Sequence, residues 1–291
     1  MNNFNNQVVV ITGAGSGMGR CYALELARQG AHLALCDVDT SGLHQTAEQV
    51  TTIVGKPPFY SVVDMANANA VAQFAQQVEE LLGAVYLLIN NAGIEGSARP
   101  VWATSAQEFE RVMQVNYFGV VHGTRAFLPQ MLRQERGAIV NVSSIFGLIG
   151  TPNHADYCAS KFAVRGFTEA LMVELKDTPI QVHLLHPGGI QTNITRHAHS
   201  QDFARRFFKT TPEQITKRLL QGIARNQPRI VYGHGAFKTW LGARLLPLRI
   251  LLRLIYSELM PVIDQRDYPP KSYFDQQAMR PQERSTIRKL P

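Results

Sequence analysis

Cysteine is scarce in this chain. Cys21, Cys36 and Cys158 are the only three among 291 residues. Their odd number and wide spacing suit neither a disulfide framework nor a metal site, and a reducing compartment is expected. The first residues, Met1 to Gln7, lack the basic-then-apolar plan of a secretion signal. No apolar run reaches the roughly 18 residues that read as a membrane span. Neither an HExxH pair nor a Gly-rich loop closed by Gly-Lys-Ser/Thr occurs, which removes zinc peptidases and P-loop nucleotide hydrolysis. No metal site and no internal repeat is expected. A soluble, cytoplasmic, globular protein is the expectation these absences leave.

What is present is ample apolar residue and an uneven charge. Hydrophobic residues make up 45% of the chain, enough for a sizeable core. Residues 1–195 carry 11 Lys/Arg against 15 Asp/Glu, whereas residues 196–291 carry 18 against 7. The basic C-terminal third suits an anionic partner such as a membrane surface or an acidic substrate handle, or else a solvated face. No nucleic-acid motif accompanies it, so no nucleic-acid partner is expected.

Short apolar strands alternate with helical patterns through most of the chain. Strands are expected at 7–12, 32–37, 59–63, 85–90, 138–142 and 180–185, with a last one at 229–232. The helix through Glu108–Gln134 is expected to be the longest, and another spans Tyr157–Lys176. This βαβα order with strands apolar on both faces predicts an α/β fold, a doubly wound parallel sheet with helices on each side. Thr211-Pro212-Glu213 reads as a helix start.

The first strand runs into Thr12-Gly13-Ala14-Gly15-Ser16-Gly17-Met18-Gly19 and then a helix. Glycines there allow a tight turn and close approach of a pyrophosphate to the N–H groups of the helix N-terminus. Asp37 ends the second strand, 24 residues after Gly13. A carboxylate at that place binds a ribose diol and repels a 2′-phosphate. No basic residue lies within the turn, where Ser16 stands. NAD is therefore favoured over NADP.

With these motifs the sequence resembles the short-chain dehydrogenases/reductases over roughly residues 5–195. Further motifs carry the likeness: Asp64-Met65 after the third strand, Asn90-Asn91-Ala92-Gly93 after the fourth, Asn116, Ser144, Tyr157-Cys-Ala-Ser-Lys161 and Pro187-Gly188-Gly189-Ile190-Gln191-Thr192. The resemblance implies a Rossmann fold of strand order 3-2-1-4-5-6-7 and a homodimer or homotetramer. It also implies that Gly13, Ser16, Gly17, Met18, Gly19, Asp37, Asp64, Met65, Asn91, Gly93, Tyr157, Lys161, Gly188, Ile190 and Thr192 hold the cofactor. Residues 1–235 are read as the catalytic domain, and 236–291 as a basic, apolar helical extension with a Pro-rich tail that has little to pack against.

Tyr157 and Lys161 stand four residues apart, on one helix face. An ammonium beside a phenol favours phenolate, and its pKa should fall from about 10, making Tyr157 an acid for ketone reduction and a base for alcohol oxidation. By resemblance, Ser144 rather than the adjacent Ser143 polarises the substrate carbonyl, and Asn116 holds a water next to the lysine. The hydride chemistry belongs to the nicotinamide. His183, His186, His197 and His199 form no ligand pattern, and Cys158 reads as a small packed residue.

Loops beyond the strand ends should set specificity. They offer Ile94, Trp102, Phe146, Leu148 and Ile149, then Phe203, Phe207 and Phe208, mixed with Arg99, Arg196, Arg205 and Arg206. An apolar pocket with a basic rim is expected. Residues 236–263 are strongly apolar, with Lys238, Arg249, Arg253 and Tyr256 on one side at 100° per residue and Pro247 as an interruption. This segment could lie in a membrane interface as a peripheral contact, cover the substrate cleft, or meet a second subunit. The sequence thus predicts an NAD-dependent enzyme interconverting an apolar or bulky secondary alcohol and its ketone. Two rivals remain: a reductase of long-chain aldehydes or acyl-derived ketones, and a non-catalytic NAD(H)-binding or membrane-associated protein.

Overall fold

The computed structural model describes residues 4–192, 194 and 201–269. Arg196, His197 and His199 lie outside the described residues, as does the tail from residue 270. The strands are β1 (Val8–Thr12), β2 (His32–Asp37), β3 (Phe59–Val62), β4 (Leu87–Asn90), β5 (Gly137–Val142), β6 (Ile180–Pro187) and β7 (Arg229–Tyr232). They form one parallel sheet in the order 3-2-1-4-5-6-7. The fold is a single α/β Rossmann-like domain with helices on both sides of the sheet.

Successive strand residues point to opposite faces, so β1 feeds two cores. Val9 and Ile11 join Leu43 and Val50 of α2 (Thr40–Val54) and Ile215 and Leu219 of α8 (Pro212–Ala224). Val8 and Val10 join Val71 and Phe74 of α3 (Ala68–Leu82) and Phe127 and Met131 of α5 (Gly119–Arg133). Every residue of β1 is buried, which is why the strand is apolar throughout rather than alternating. Helix starts follow local chemistry. Asp39 caps α2 and Asn67 caps α3 through their side chains. Thr211 and Gln214 close a capping box around Pro212 at the start of α8.

Three expectations need correction. The long helix expected through Glu108–Gln134 is α4 (Ala106–Met113) and α5 joined by a π-turn at Gln114–Phe118. Pro247 interrupts the helical run as expected, giving α9 (Ala236–Leu245) and α10 (Leu248–Leu259) with Leu246 extended between them, but the basic stripe expected across it needs correction. Lys238 therefore does not continue the stripe of Arg249, Arg253 and Tyr256. The segment just past α10 is packed, not loose. Arg99 pairs with Asp267 at 2.9 Å, and the Trp102 indole N–H donates to the Asp267 carbonyl at 2.8 Å. The Tyr268 hydroxyl donates to Asn153 Oδ1 at 2.9 Å, and Asn153 Nδ2 donates to the Asp264 carbonyl at 2.8 Å. Residues 264–268 thus strap α10 to the loops after β4 and β5.

Candidate active site

The Gly-rich turn leads from β1 into α1 (Gly17–Arg28). Gly13 has φ +67°, and a Cβ there would stand 2.8 Å from the Ala92 Cα; only glycine fits both limits. Asn91 Nδ2 donates to the Thr12 and Gly13 carbonyls at 3.0 and 3.2 Å, while Thr12 Oγ1 accepts the Asn91 and Ala92 N–H groups at 3.0 Å each. The turn and the end of β4 are therefore one unit. Ser16 starts α1 without a side-chain cap, and the first turn holds no acid, which leaves the N-terminal dipole for an anion.

Asp37 Oδ2 accepts the Gly15 N–H at 2.7 Å. Sequence reasoning missed Arg20, whose Nε donates to Thr46 Oγ1 at 2.9 Å and whose Nη2 donates to the Gly42 carbonyl at 3.0 Å. It ties the turn to α2, and no composition signal marks that duty. Asp64 Oδ1 accepts the Ala66 N–H at 2.9 Å. The Met65 side chain is buried in the core beneath, so ligand contacts there would fall to Asp64 and the main chain. A glycine cradle, an uncapped helix start and a carboxylate at the end of β2 together fit a dinucleotide.

The polar groups expected to move a proton converge at the ends of β4 and β5. Asn116 sits in the π-turn, fully buried, where its Oδ1 accepts the Ile94 N–H at 2.8 Å. Its Nδ2 donates to the Ile94 carbonyl at 3.0 Å and to Ser160 Oγ at 3.1 Å. A Cβ on Gly93 would meet Asn116 Oδ1 at 3.2 Å and Lys161 Nζ at 3.5 Å. Lys161 and Tyr157 share α6 (Ala155–Glu174). Lys161 Nζ donates to the Val142 carbonyl at 3.0 Å and lies 5.6 Å from the Tyr157 ring centroid.

Ser144 begins the short turn Ile145–Gly147, where its Oγ accepts the Phe146 N–H at 3.1 Å, and its hydroxyl lies near enough to the Tyr157 phenol to favour phenolate. Ser143 Oγ instead donates to the Lys161 carbonyl at 2.8 Å, which commits that hydroxyl to the fold. The direction of the phenol's pKa differs from expectation. Burial raises it, the Ser144 hydroxyl opposes the rise, and Cys158 and Glu95 add to it. Burial also lowers Lys161 to about 8. Both groups lose water, and burial is the largest cause of each shift.

A cavity of about 480 Å³ opens above these groups. Met18, Asn91, Gly93, Ser144, Tyr157 and Lys161 line it, with Gly188, Ile190 and Thr192 opposite. Gly13, Ser16, Gly17, Gly19, Asp37, Asp64 and Met65 lie outside it along the ends of β1–β3, and Asn116 stands behind its wall. Phe146, Ile149, Phe203, Phe207 and Phe208 supply apolar wall as expected; Ile94, Leu148 and Trp102 do not. Among the described residues none of the expected arginines lines the cavity, although Lys238 does. Arg99 is held by Asp267, Arg205 pairs with Asp202, and Arg206 lies over the Phe207 ring. His154 was missed: buried, it lines the cavity and packs its ring 5.4 Å from Phe146. The roof comes from α9 and α10 through residues such as Leu241, Leu245, Leu251 and Leu254.

Comparison with known proteins now has a geometry to meet. The short chain dehydrogenase profile matches residues 7–202. The chain belongs to the short-chain dehydrogenase/reductase family. It is 41% identical over 258 residues to a putative oxidoreductase, SadH, of Mycobacterium tuberculosis, covering 84% of this chain and 93% of that one. Cyclopentanol dehydrogenase of Comamonas is 39% identical over 196 residues, 67% of this chain and 78% of the relative. A short-chain dehydrogenase/reductase of Burkholderia phymatum solved with NAD superposes with TM-score 0.75 at 30% identity, covering 89% of this chain and 97% of that one. A metagenomic short-chain oxidoreductase solved with NADP superposes with TM-score 0.68 at 25% identity, covering 79% and 98%. This chain is an oxidoreductase of that family, of a kind that binds NAD(P). Among the described residues no group of His, Cys, Asp or Glu could hold a metal, and no helix is long and apolar enough to cross a membrane.

Proposed function

We propose that the protein interconverts an apolar, bulky secondary alcohol and its ketone, with NAD preferred. The observation that carries this reading is the convergence of Ser144, Tyr157 and Lys161 on one largely apolar cavity, with the Lys161 ammonium 5.6 Å from the Tyr157 ring centroid. The dinucleotide would be held by the turn from Gly13 to Gly19, by Asp37 at the adenosine ribose, and by Asn91, Gly93, Gly188, Ile190 and Thr192 farther along the strand ends. When bound, it supplies or takes the hydride.

The chain's own groups handle the proton and the geometry. Ser144 Oγ donates to the substrate oxygen and fixes its position beside Tyr157. In reduction the Tyr157 hydroxyl gives its proton to that oxygen; in oxidation the phenolate takes it back. Lys161 holds positive charge near the phenol, and Asn116 joins the lysine to a relay through water and the Ile94 carbonyl. Phe146, Phe203 and Leu251 exclude water from the apolar part of the substrate. Relatives named for cyclopentanol and cyclohexanol support a ring alcohol, and the roof from α9 and α10 supports one larger than those rings.

The preference for NAD rests on Asp37, whose carboxylate would repel a 2′-phosphate. The test is nicotinamide absorbance during turnover, with NAD and NADP each offered against cyclic secondary alcohols of graded size. Oxidation with NAD that strengthens with apolar bulk is expected. Measurable NADH binding with no turnover on any secondary alcohol would overturn the reading.

A further inference from the structure

The roof helices have two apolar sides. The inner side of α10, with Leu251, Ile255 and Leu259, faces the cavity. The adjacent flank, turned outward from the cavity, carries Leu248, Leu252 and Tyr256, each four residues from the next and hence in one row. These are 67%, 50% and 63% exposed. Phe237 and Leu245 of α9 extend the patch at 67% and 70%. Isolated exposed apolar residues are ordinary, but a continuous row of this kind marks a contact surface.

Charge decides what fits it. Arg249 and Arg253 form the row beside Leu248 and Leu252, and both are exposed. Arg244 adds positive charge on α9, whereas the exposed Lys238 lines the cavity. The sole acid between residues 236 and 263 is Glu258, which lines the cavity on the inner side. A second copy of this chain placed face to face would set arginine rows against each other with no acid between them. An anionic lipid surface offers opposite charge to the arginines and hydrocarbon to the leucines.

We propose that the outer face of α9 and α10 docks on anionic membrane surfaces, lying in the interface plane without crossing it. Leu241 and Leu245 of α9 are exposed and also line the cavity, so docking of α9 would bring the cavity mouth to the lipid. An apolar alcohol dissolved in the bilayer would enter there without passing through water. Docking rests on the face alone; only this entry route rests on the proposed alcohol chemistry.

The test is co-sedimentation of the full-length protein with phosphatidylcholine vesicles, with and without phosphatidylglycerol, at low and high salt. Partitioning should rise with the anionic lipid and fall with salt. Arg249→Gln with Arg253→Gln should weaken partitioning about thirtyfold, at the known contribution of a cation near an anionic surface. Leu248→Ser with Leu252→Ser should weaken it further, while turnover of a water-soluble cyclic alcohol stays unchanged in both variants. Equal sedimentation of wild type and variants, or none with either vesicle, would overturn the proposal. So would a leucine variant that alters subunit number in gel filtration without changing lipid binding, which would assign the face to a second copy. A wild-type protein that turns over the alcohol but binds neither vesicle condemns docking alone, and one that binds lipid but turns over no alcohol condemns the alcohol reading alone.

Discussion

His186 Nδ1 donates to the Ser144 carbonyl at 2.7 Å, so a fully buried imidazole on β6 carries the peptide of the serine that faces Tyr157. Its Nε2 has no partner, which fits a neutral ring. Burial lowers its pKa from 6.5 to about 4, with Arg229 and Arg165 adding and the Ser144 carbonyl and Glu169 opposing. The unfolded chain therefore binds a proton that the folded one refuses. Stability from this group is full above about pH 6.5 and is lost as pH falls towards 4. His183, also lowered by burial, adds in the same direction. Melting temperature should drop over that window, and His186→Asn should flatten the drop. Parallel curves for wild type and variant would remove His186 from the account.

Tyr157→Phe deletes the hydroxyl that shares the cavity with Ser144 and the proton it carries. Turnover should fall by about 10²–10⁴-fold, while NADH binding by fluorescence stays within a small factor of wild type. A near-normal rate would refute the assignment of Tyr157.

Because burial keeps Tyr157 a phenol at neutral pH, ketone reduction should hold its rate across neutral pH and alcohol oxidation should gain as pH rises. Paired pH–rate profiles in the two directions check this. A flat oxidation profile between about pH 6 and 10 would rule out the phenolate as base.

Asp37→Ala removes the carboxylate that would face a 2′-phosphate. The ratio of kcat/KM for NADH over NADPH should shrink by about tenfold or more, the effect of relieving a like-charge contact of about 1.4 kcal/mol. An unchanged ratio would mean another residue discriminates.

Tyr268→Ala takes away both the ring packed against Trp102 at 5.2 Å and the hydroxyl on Asn153. The strap then loosens, and about 1–2 kcal/mol of stability goes with it. KM for bulky alcohols should rise while kcat changes little, since Tyr157 and Ser144 are untouched. A fall in kcat with constant KM would show that the strap serves the chemistry instead.

The sheet, and the meeting of Asn116, Ser144, Tyr157 and Lys161 at the ends of β4 and β5, were legible in the sequence because short apolar strands, a Gly-rich turn and a Tyr-Lys spacing each leave a local mark. What was not legible depends on contacts between distant segments. The π-turn at Asn116 changes hydrogen-bond register without changing composition. The upward direction of the Tyr157 phenol follows from how deeply α6 is covered, which a four-residue spacing does not reveal. The arginines expected around the cavity look free in the sequence, yet Asp267, Asp202 and Phe207 engage them. The strap at 264–268 was unreadable for the same reason: Trp102 and Tyr268 meet across 166 positions of chain.

The end of β7 at Tyr232 separates the sheet and its site groups from the roof of the cavity. Asn116, Ser144, Tyr157 and Lys161 all precede residue 162, and the sheet closes with β7 at Tyr232, before α9 begins. The roof is written last and rests on a finished scaffold. Substitutions in α9 and α10 can therefore retune which molecule is admitted while leaving the proton chemistry intact, so substrate range in proteins built this way is free to drift faster than reaction type.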